Sequence, residues 1–145
     1  YFHMNIAGAL RKLGDERAIG GLIKVLNAEV EEKKPDSKED PPDHFTGRLM
    51  NRKRCAAALG GFDTPEVRSA LEKGAANPQL AVICGVSLYA LTMEESHLKA
   101  LEAVIRKKPT YAAVLAADAL RGVESSKARE LVEVLEAEAA KARRK

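Results

Sequence analysis

Residues 55–75 read CAAALGGFDTPEVRSALEKGA and determine the fold that the rest of the chain repeats. Two apolar patterns with the period of an α-helix lie on either side of a Gly-Gly-Phe-Asp-Thr-Pro break. Gly60 and Gly61 each cost roughly 1 kcal/mol relative to alanine in a helix, so they predict the end of the first helix. Thr64 and Pro65 predict the N-cap and the first residue of a second helix. The stretch therefore predicts two helices joined by a tight turn.

Three further copies of this helix pair are recognisable from the spacing of their large apolar residues. The aligned pairs are Leu10 and Leu13, Leu59 and Phe62, Leu88 and Leu91, and Leu120 and Val123. The later copies follow one another at about 30 residues, a period typical of helical solenoids. Because the apolar stripe of one pair is too narrow to stabilise it alone, we expect the pairs to stack.

The longer first interval contains an insertion at residues 31–46, where the helical period disappears. This segment reads EEKKPDSKEDPPDHFT and contains three prolines. Its acids are Glu31, Glu32, Asp36, Glu39, Asp40 and Asp43, set against Lys33, Lys34 and Lys38. We expect an exposed, partly disordered loop, which is either a binding element or a solvated linker.

The composition favours one helical, cytoplasmic domain. Charged residues make up 31% of the 145 residues, aromatic residues 4%, and the net charge is +3. We interpret residues 1–4 as a tag remnant and residues 5–145 as a single domain. No apolar run approaches the ~20 residues needed to span a membrane. Cys55 and Cys84 are expected to be buried apolar residues in a reduced protein.

Residue patterns for catalysis or metal binding are missing from the sequence. His3, His44 and His97 have no second ligand at metal-binding spacing, and the aspartates of the insertion lack the pattern of a calcium-binding loop. The sequence also contains no glycine-rich phosphate loop and no nucleophile elbow. We therefore predict no catalytic residues, no cofactor and no metal, and no enzyme activity of the chain on its own.

Two segments resemble the HEAT-like repeats of the phycobilin-lyase type. They are IAGALRKLGDERAI at residues 6–19 and CAAALGGF at residues 55–62. The resemblance implies an all-α, right-handed, armadillo-like solenoid (α-α superhelix) of about four HEAT repeats. It also implies a protein-binding scaffold, since members of this family include such scaffolds, chromophore lyase subunits and appendages of enzymes. The chain departs from the family pattern in having the usual arginine of the first helix only at Arg52.

In solenoids of this kind the second helix of each repeat lines the concave face. The polar residues expected there are Arg17, Lys24, Arg68, Glu72, His97 and Arg106. Their mixed charges favour a protein partner over a polyanion. The junction after the insertion adds Arg52 and Arg54 as candidate binding residues.

Two alternative functions and one mode of self-association remain open. A nucleic acid or another polyanion could bind the basic helix at residues 48–54 and the basic C-terminal residues. An accessory subunit of a lyase, handling a bilin, is the second alternative, and it rests on the resemblance alone. Self-association through an uncovered terminal repeat is also open, because such an end exposes leucines.

Overall fold

The computed structural model describes residues 9–28, 43–107 and 119–144, and in these ranges it contains helices and turns but no strand. The helices are α1 at residues 9–13, α2 (Ala18–Leu26), α3 (Asp43–Leu59), α4 (Pro65–Ala75), α5 (Ala81–Thr92), α6 (Glu95–Lys107) and α7 (Ser126–Arg143). The predicted all-helical fold is confirmed for these ranges. The predicted tag remnant and most of the insertion and of the fourth repeat's first helix lie outside them.

The helices pack in two layers. The first helices of neighbouring repeats, α3 and α5, lie side by side, and so do the second helices α2 and α4. Between the layers, α2 packs on α3, α4 on α5, and α5 on α6. We call α1, α3 and α5 the first-helix layer, and α2, α4, α6 and α7 the second-helix layer. The handedness of the stack and the number of four repeats stay predictions.

The predicted break between α3 and α4 is confirmed in detail. Helix α3 ends at Leu59, directly before the two glycines. Thr64 has extended backbone angles, and its hydroxyl oxygen accepts the backbone N–H of Val67 at 3.3 Å. Pro65 is the first helical residue and Glu66 lies in the first turn, where a negative charge is favourable. Local sequence therefore determines this turn.

Asp15 and Asn77 are residue types that ordinarily cap a helix, yet neither directly precedes the first residue of one. Helix α2 begins at Ala18 and not directly after Asp15, and α5 begins at Ala81 and not after Asn77. In both places the side chain of the expected cap accepts the backbone N–H two residues further on, at 3.0 Å. Such local hydrogen bonds form a turn of their own, which delays the helix.

Thr92 and Glu95 have the spacing of a capping box, but Thr92 is instead the last residue of α5. Its hydroxyl group donates to the carbonyl oxygen of Leu88 at 2.9 Å and accepts the backbone N–H of Glu94 at 3.2 Å. Met93 follows in the left-handed region with a φ of 54°. Thr92 therefore ends α5, and the side chain of Thr92 does not cap α6, which begins at Glu95.

The predicted end of the insertion at residue 46 is corrected, because α3 begins at Asp43. Two prolines precede this residue in the sequence, and proline is favoured just at the start of a helix. The dense charges of this segment had concealed these start signals.

The buried side chains form two hydrophobic cores that share α5. The first core lies among α2, α3, α4 and α5, and the second among α5, α6, Leu120 and α7. Cys84 and Leu88 of α5 belong to the first core, whereas Val86 and Tyr89 belong to the second. Helix α5 is therefore apolar on nearly all sides, as expected for a central helix.

Both cysteines are buried and free, as predicted. Burial raises the pKa of the Cys84 thiol to about 12 and also raises that of Cys55. Small residues let the helices around them approach closely. A Cβ on Gly74 would stand 2.8 Å from the sulfur of Cys84, and the hydroxyl of Ser87 donates to the carbonyl oxygen of Ala56 at 2.9 Å.

Candidate interaction surface

The candidate surface consists of the outward side chains of the second-helix layer, which we call the second-helix face. On α2, burial of Ile19, Leu22 and Leu26 turns the opposite side of the helix outward. The residues on that side are Arg17, Gly20, Gly21 and Lys24. On α4, the side opposite the buried residues presents Arg68, Ser69 and Glu72. Because α2 packs against α4, these residues belong to one continuous surface.

Two of the predicted binding arginines lie in ion pairs with nearby acids. Arg17 contacts the carboxylate of Asp15 at 2.7 Å, and its hydrogen bonds lower the pKa of Asp15. Arg68 contacts Asp63 at 2.8 Å. Both arginines therefore have an intrachain partner that a ligand would have to replace.

Arg106 is held by two carboxylates from neighbouring repeats. Its guanidinium contacts Glu102 on the same helix at 2.8 Å and Glu138 on α7 at 2.9 Å. Hydrogen bonds to these two acids raise the pKa of Arg106. A parallel pair joins Lys127 of α7 to Glu95 of α6 at 2.8 Å. These charged groups between α6 and α7 are therefore paired with one another.

His97 occupies the border of the second-helix face. Its side chain is 21% exposed, and its Nε2 lies 3.6 Å from a carboxylate oxygen of Glu94. Most of the ring is thus covered by the chain itself, which leaves little surface for a partner.

Lys24 and Glu72 differ from the other predicted binding residues of the second-helix face. Both are exposed, and neither makes a hydrogen bond or an ion pair within the described ranges. They lie on adjacent helices and have opposite charges. An unpaired cation and an unpaired anion on one surface can recognise a partner without first breaking an intrachain contact.

The two arginines predicted at the junction lie in the first-helix layer. Arg52 is half-buried, and its Nε donates to the carbonyl oxygen of Leu26 at 2.9 Å. It therefore satisfies a carbonyl at the end of α2, where helices leave acceptors unpaired. Arg54 is half-buried as well and has no hydrogen bond or ion pair with another described residue.

The sequence did not reveal the carboxylates that neutralise the candidate arginines. Glu102 was detectable in principle, because it lies one helical turn before Arg106. Glu138 lies 32 residues away from Arg106, and only the stacking of α7 on α6 brings the two together. The cap that Arg52 provides for α2 likewise depends on contact between repeats.

The described residues contain no group of three or more His, Cys, Asp or Glu side chains that could hold a metal ion. Among the helices described, none is both long and apolar enough to span a bilayer.

The first helix pair matches a known repeat family. Residues 4–28, which include α1 and α2, match the family model of the PBS lyase HEAT-like repeat. No curated protein matches the chain, and no solved structure does. HEAT-like repeats generally mediate contacts between proteins. The predicted resemblance is thus confirmed: the repeat at residues 4–28 is similar to the HEAT-like repeats of PBS lyases.

Proposed function

We propose that this chain is a non-catalytic scaffold that binds a protein partner on the second-helix face of α2 and α4. The match to a HEAT-like repeat supports a binding role, since stacked repeats present extended surfaces for partners. The observation that supports this location is the presence of exposed, unpaired Lys24 and Glu72 on adjacent helices. In a right-handed solenoid this face is the concave one.

Lys24 and Glu72 are better candidates for recognition than Arg68 or Arg106. A partner that binds Arg106 must displace the carboxylates of Glu102 and Glu138, whose hydrogen bonds it has to replace. Lys24 and Glu72 lose only water. Because Lys24 and Glu72 have opposite charges, they favour a partner surface that also carries charges of both signs, as protein interfaces do.

Site-specific photo-crosslinking tests this location. A photoreactive amino acid is introduced at Ser69, which is exposed on α4, or at Met50, which is exposed on the outer side of α3. We expect a specific protein adduct from position 69 and much less from position 50. Equal crosslinking from both positions, or a stronger adduct from position 50, would contradict the proposed surface.

An accessory role in a lyase is the second candidate, because the matched family model describes a PBS lyase repeat. In that case the chain or its complex would bind a bilin. Mixing with a free bilin and with a bilin-carrying protein should then shift the visible absorbance spectrum. An unchanged spectrum in both mixtures would remove this candidate.

A further inference from the structure

The two helix layers differ in how their charges are sorted. Within the described side chains of the first-helix layer, every charged residue is a cation: Arg11, Lys12, Arg52, Lys53 and Arg54. Helix α5 of the same layer has no charged residue. The second-helix layer mixes acids and bases on α4, α6 and α7. A net charge of +3 for the whole chain thus conceals a group of cations among the described side chains of this layer.

Contact between α1 and α3 places Arg11 beside α3, which carries Lys53 and Arg54. The Nη1 of Arg11 donates to the carbonyl oxygen of Ala57 at 3.3 Å. Gly61 makes room for this side chain, since a Cβ there would stand 2.8 Å from the Cγ of Arg11. Lys53 lies one turn, about 6 Å along the helix, before Ala57. We call Arg11, Lys53 and Arg54 the basic face.

The basic face points away from the core. The buried residues of α3 include Cys55, Ala56 and Leu59, and the opposite side of this helix presents the exposed Met50. At 100° per residue, Lys53 and Arg54 lie on either side of the line through Met50. Both residues are half-buried, and long charged side chains in such positions ordinarily keep their charged ends in water.

The cations of the basic face have few intrachain partners. Lys53 and Arg54 make no hydrogen bond or ion pair with any other residue that the structure describes, and Arg11 contacts a carbonyl oxygen but no carboxylate among those residues. The arginines of the second-helix face differ, because Arg17, Arg68 and Arg106 each contact a carboxylate. Clustered cations without counter-charges repel one another, and a ligand with repeated negative charges relieves that repulsion.

We propose that the basic face binds the phosphate backbone of double-stranded nucleic acid. A duplex presents a regular row of phosphates that Arg11, Lys53 and Arg54, none of which contacts a described carboxylate, can contact together. Binding of single strands usually adds exposed aromatic rings on which bases stack. Of the aromatic side chains described, Phe62 is 5% exposed and Tyr89 is 2% exposed, so neither offers such a ring. The contact is therefore with phosphates and independent of base sequence.

This binding does not depend on the proposed scaffold function, because the two surfaces lie on opposite layers. The probe is a fluorescein-labelled DNA duplex of about 20 base pairs and mixed sequence. Its binding to the full chain is measured by fluorescence anisotropy. Three phosphate contacts predict an affinity about 40-fold weaker at 200 mM than at 50 mM salt. The absence of binding at low salt would overturn the proposal, and so would a salt-independent affinity.

Two double variants with the same net charge locate the site. Lys53→Glu with Arg54→Glu should weaken duplex binding by about tenfold or more, as expected when two of three phosphate contacts become repulsive. Lys73→Glu with Lys141→Glu, on exposed positions of the other layer, should leave it within about twofold. Equal losses in the two variants would show attraction to net charge alone and would overturn the basic face as the site.

A milder double variant and a single-stranded probe complete the test. Lys53→Gln with Arg54→Gln removes the cations without introducing acids, and circular dichroism reports whether each variant keeps its helices. The milder pair should still weaken binding in a folded protein, and unchanged binding in that variant would overturn the proposal. Tighter binding of an unpaired strand of the same sequence would overturn the assignment to a duplex.

Discussion

At the scale of single residues, two glycines occupy environments that are opposite in kind. Gly74 is buried on α4, and a Cβ there would stand 2.8 Å from the sulfur of Cys84. Gly20 lies on the exposed side of α2, where a Cβ would meet nothing within 4 Å. The fold therefore requires a glycine at residue 74, and packing within the chain does not explain the glycine at residue 20.

Substituting these glycines by alanine should change stability in opposite directions. Gly74→Ala forces α4 and α5 apart and should destabilise the protein by about 1 to 3 kcal/mol. Gly20→Ala restores helix propensity and should stabilise it by up to about 1 kcal/mol. Urea unfolding followed by circular dichroism measures both free energies. Similar values for the two variants would contradict the packing described here.

The Cys84 thiol should make stability depend on pH in the alkaline range. Its pKa is about 12 in the folded protein, against an ordinary value of 9.0. The unfolded chain therefore loses this proton first, so stability falls as pH rises between these two values. The contribution should be about 1.4 kcal/mol for each pH unit within that range.

Comparison with Cys84→Ala isolates this effect from other alkaline titrations. The free energy of unfolding is measured in urea at several pH values from 8 to 10.5 for both proteins. We expect the difference in stability between them to shrink as pH rises. A difference that is constant with pH would show that the thiol titrates normally in the folded protein.

At the scale of elements, a hydrogen bond links the central helix α5 to the start of α7. The hydroxyl of Tyr89 lies 2.6 Å from the hydroxyl of Ser125. Ser125 is the N-cap of α7, and its oxygen accepts the backbone N–H of Ala128 at 3.3 Å. The buried tyrosine therefore fixes the rotamer of the cap as well as filling the second core.

Tyr89→Phe should cost about 0.5 to 1.5 kcal/mol, because it removes this hydrogen bond and keeps the ring. Ser125→Ala should cost about 1 kcal/mol through loss of the cap. The double variant should cost less than the sum of the two, since both changes break the same bond. Thermal and urea unfolding of the four proteins provide this cycle. Strict additivity would contradict a coupled cap.

The sequence predicted those features of the elements that a few neighbouring residues determine. Gly60 and Thr64 marked the turn between α3 and α4, because capping acts within one turn. Contacts such as Arg106 with Glu138 were not predictable, since they depend on the stacking of repeats. The candidate binding residues were therefore found by position, whereas their intrachain partners were found only in the structure.

At the scale of the whole molecule, the two cores meet only in α5 among the described helices. Contacts in such a stack run mainly between neighbouring repeats, so stability is approximately a sum of local terms. The part of the chain around α6 and α7 should thus respond separately from the part around α2 and α4.

Hydrogen exchange tests this separation with one alanine variant in each core. Val132→Ala in α7 should accelerate exchange mainly in α6 and α7, because Val132 packs in the second core. Leu22→Ala in α2 should accelerate exchange mainly in α2, α3 and α4, whose side chains form the first core. Uniform acceleration along the whole chain in both variants would instead show a single cooperative unit.

The scaffold function itself predicts how exchanging two charges affects binding. The measurement is the affinity between the partner captured at position 69 and the variant that combines Lys24→Glu with Glu72→Lys. This exchange keeps the net charge constant. The matched control is Glu124→Lys with Lys141→Glu, an exchange outside the α2 and α4 surface. We predict about tenfold weaker binding for the first variant, because two complementary contacts become repulsive, and an unchanged affinity for the control. Unchanged affinity in both variants, or an equal loss in both, would contradict recognition through the α2 and α4 surface.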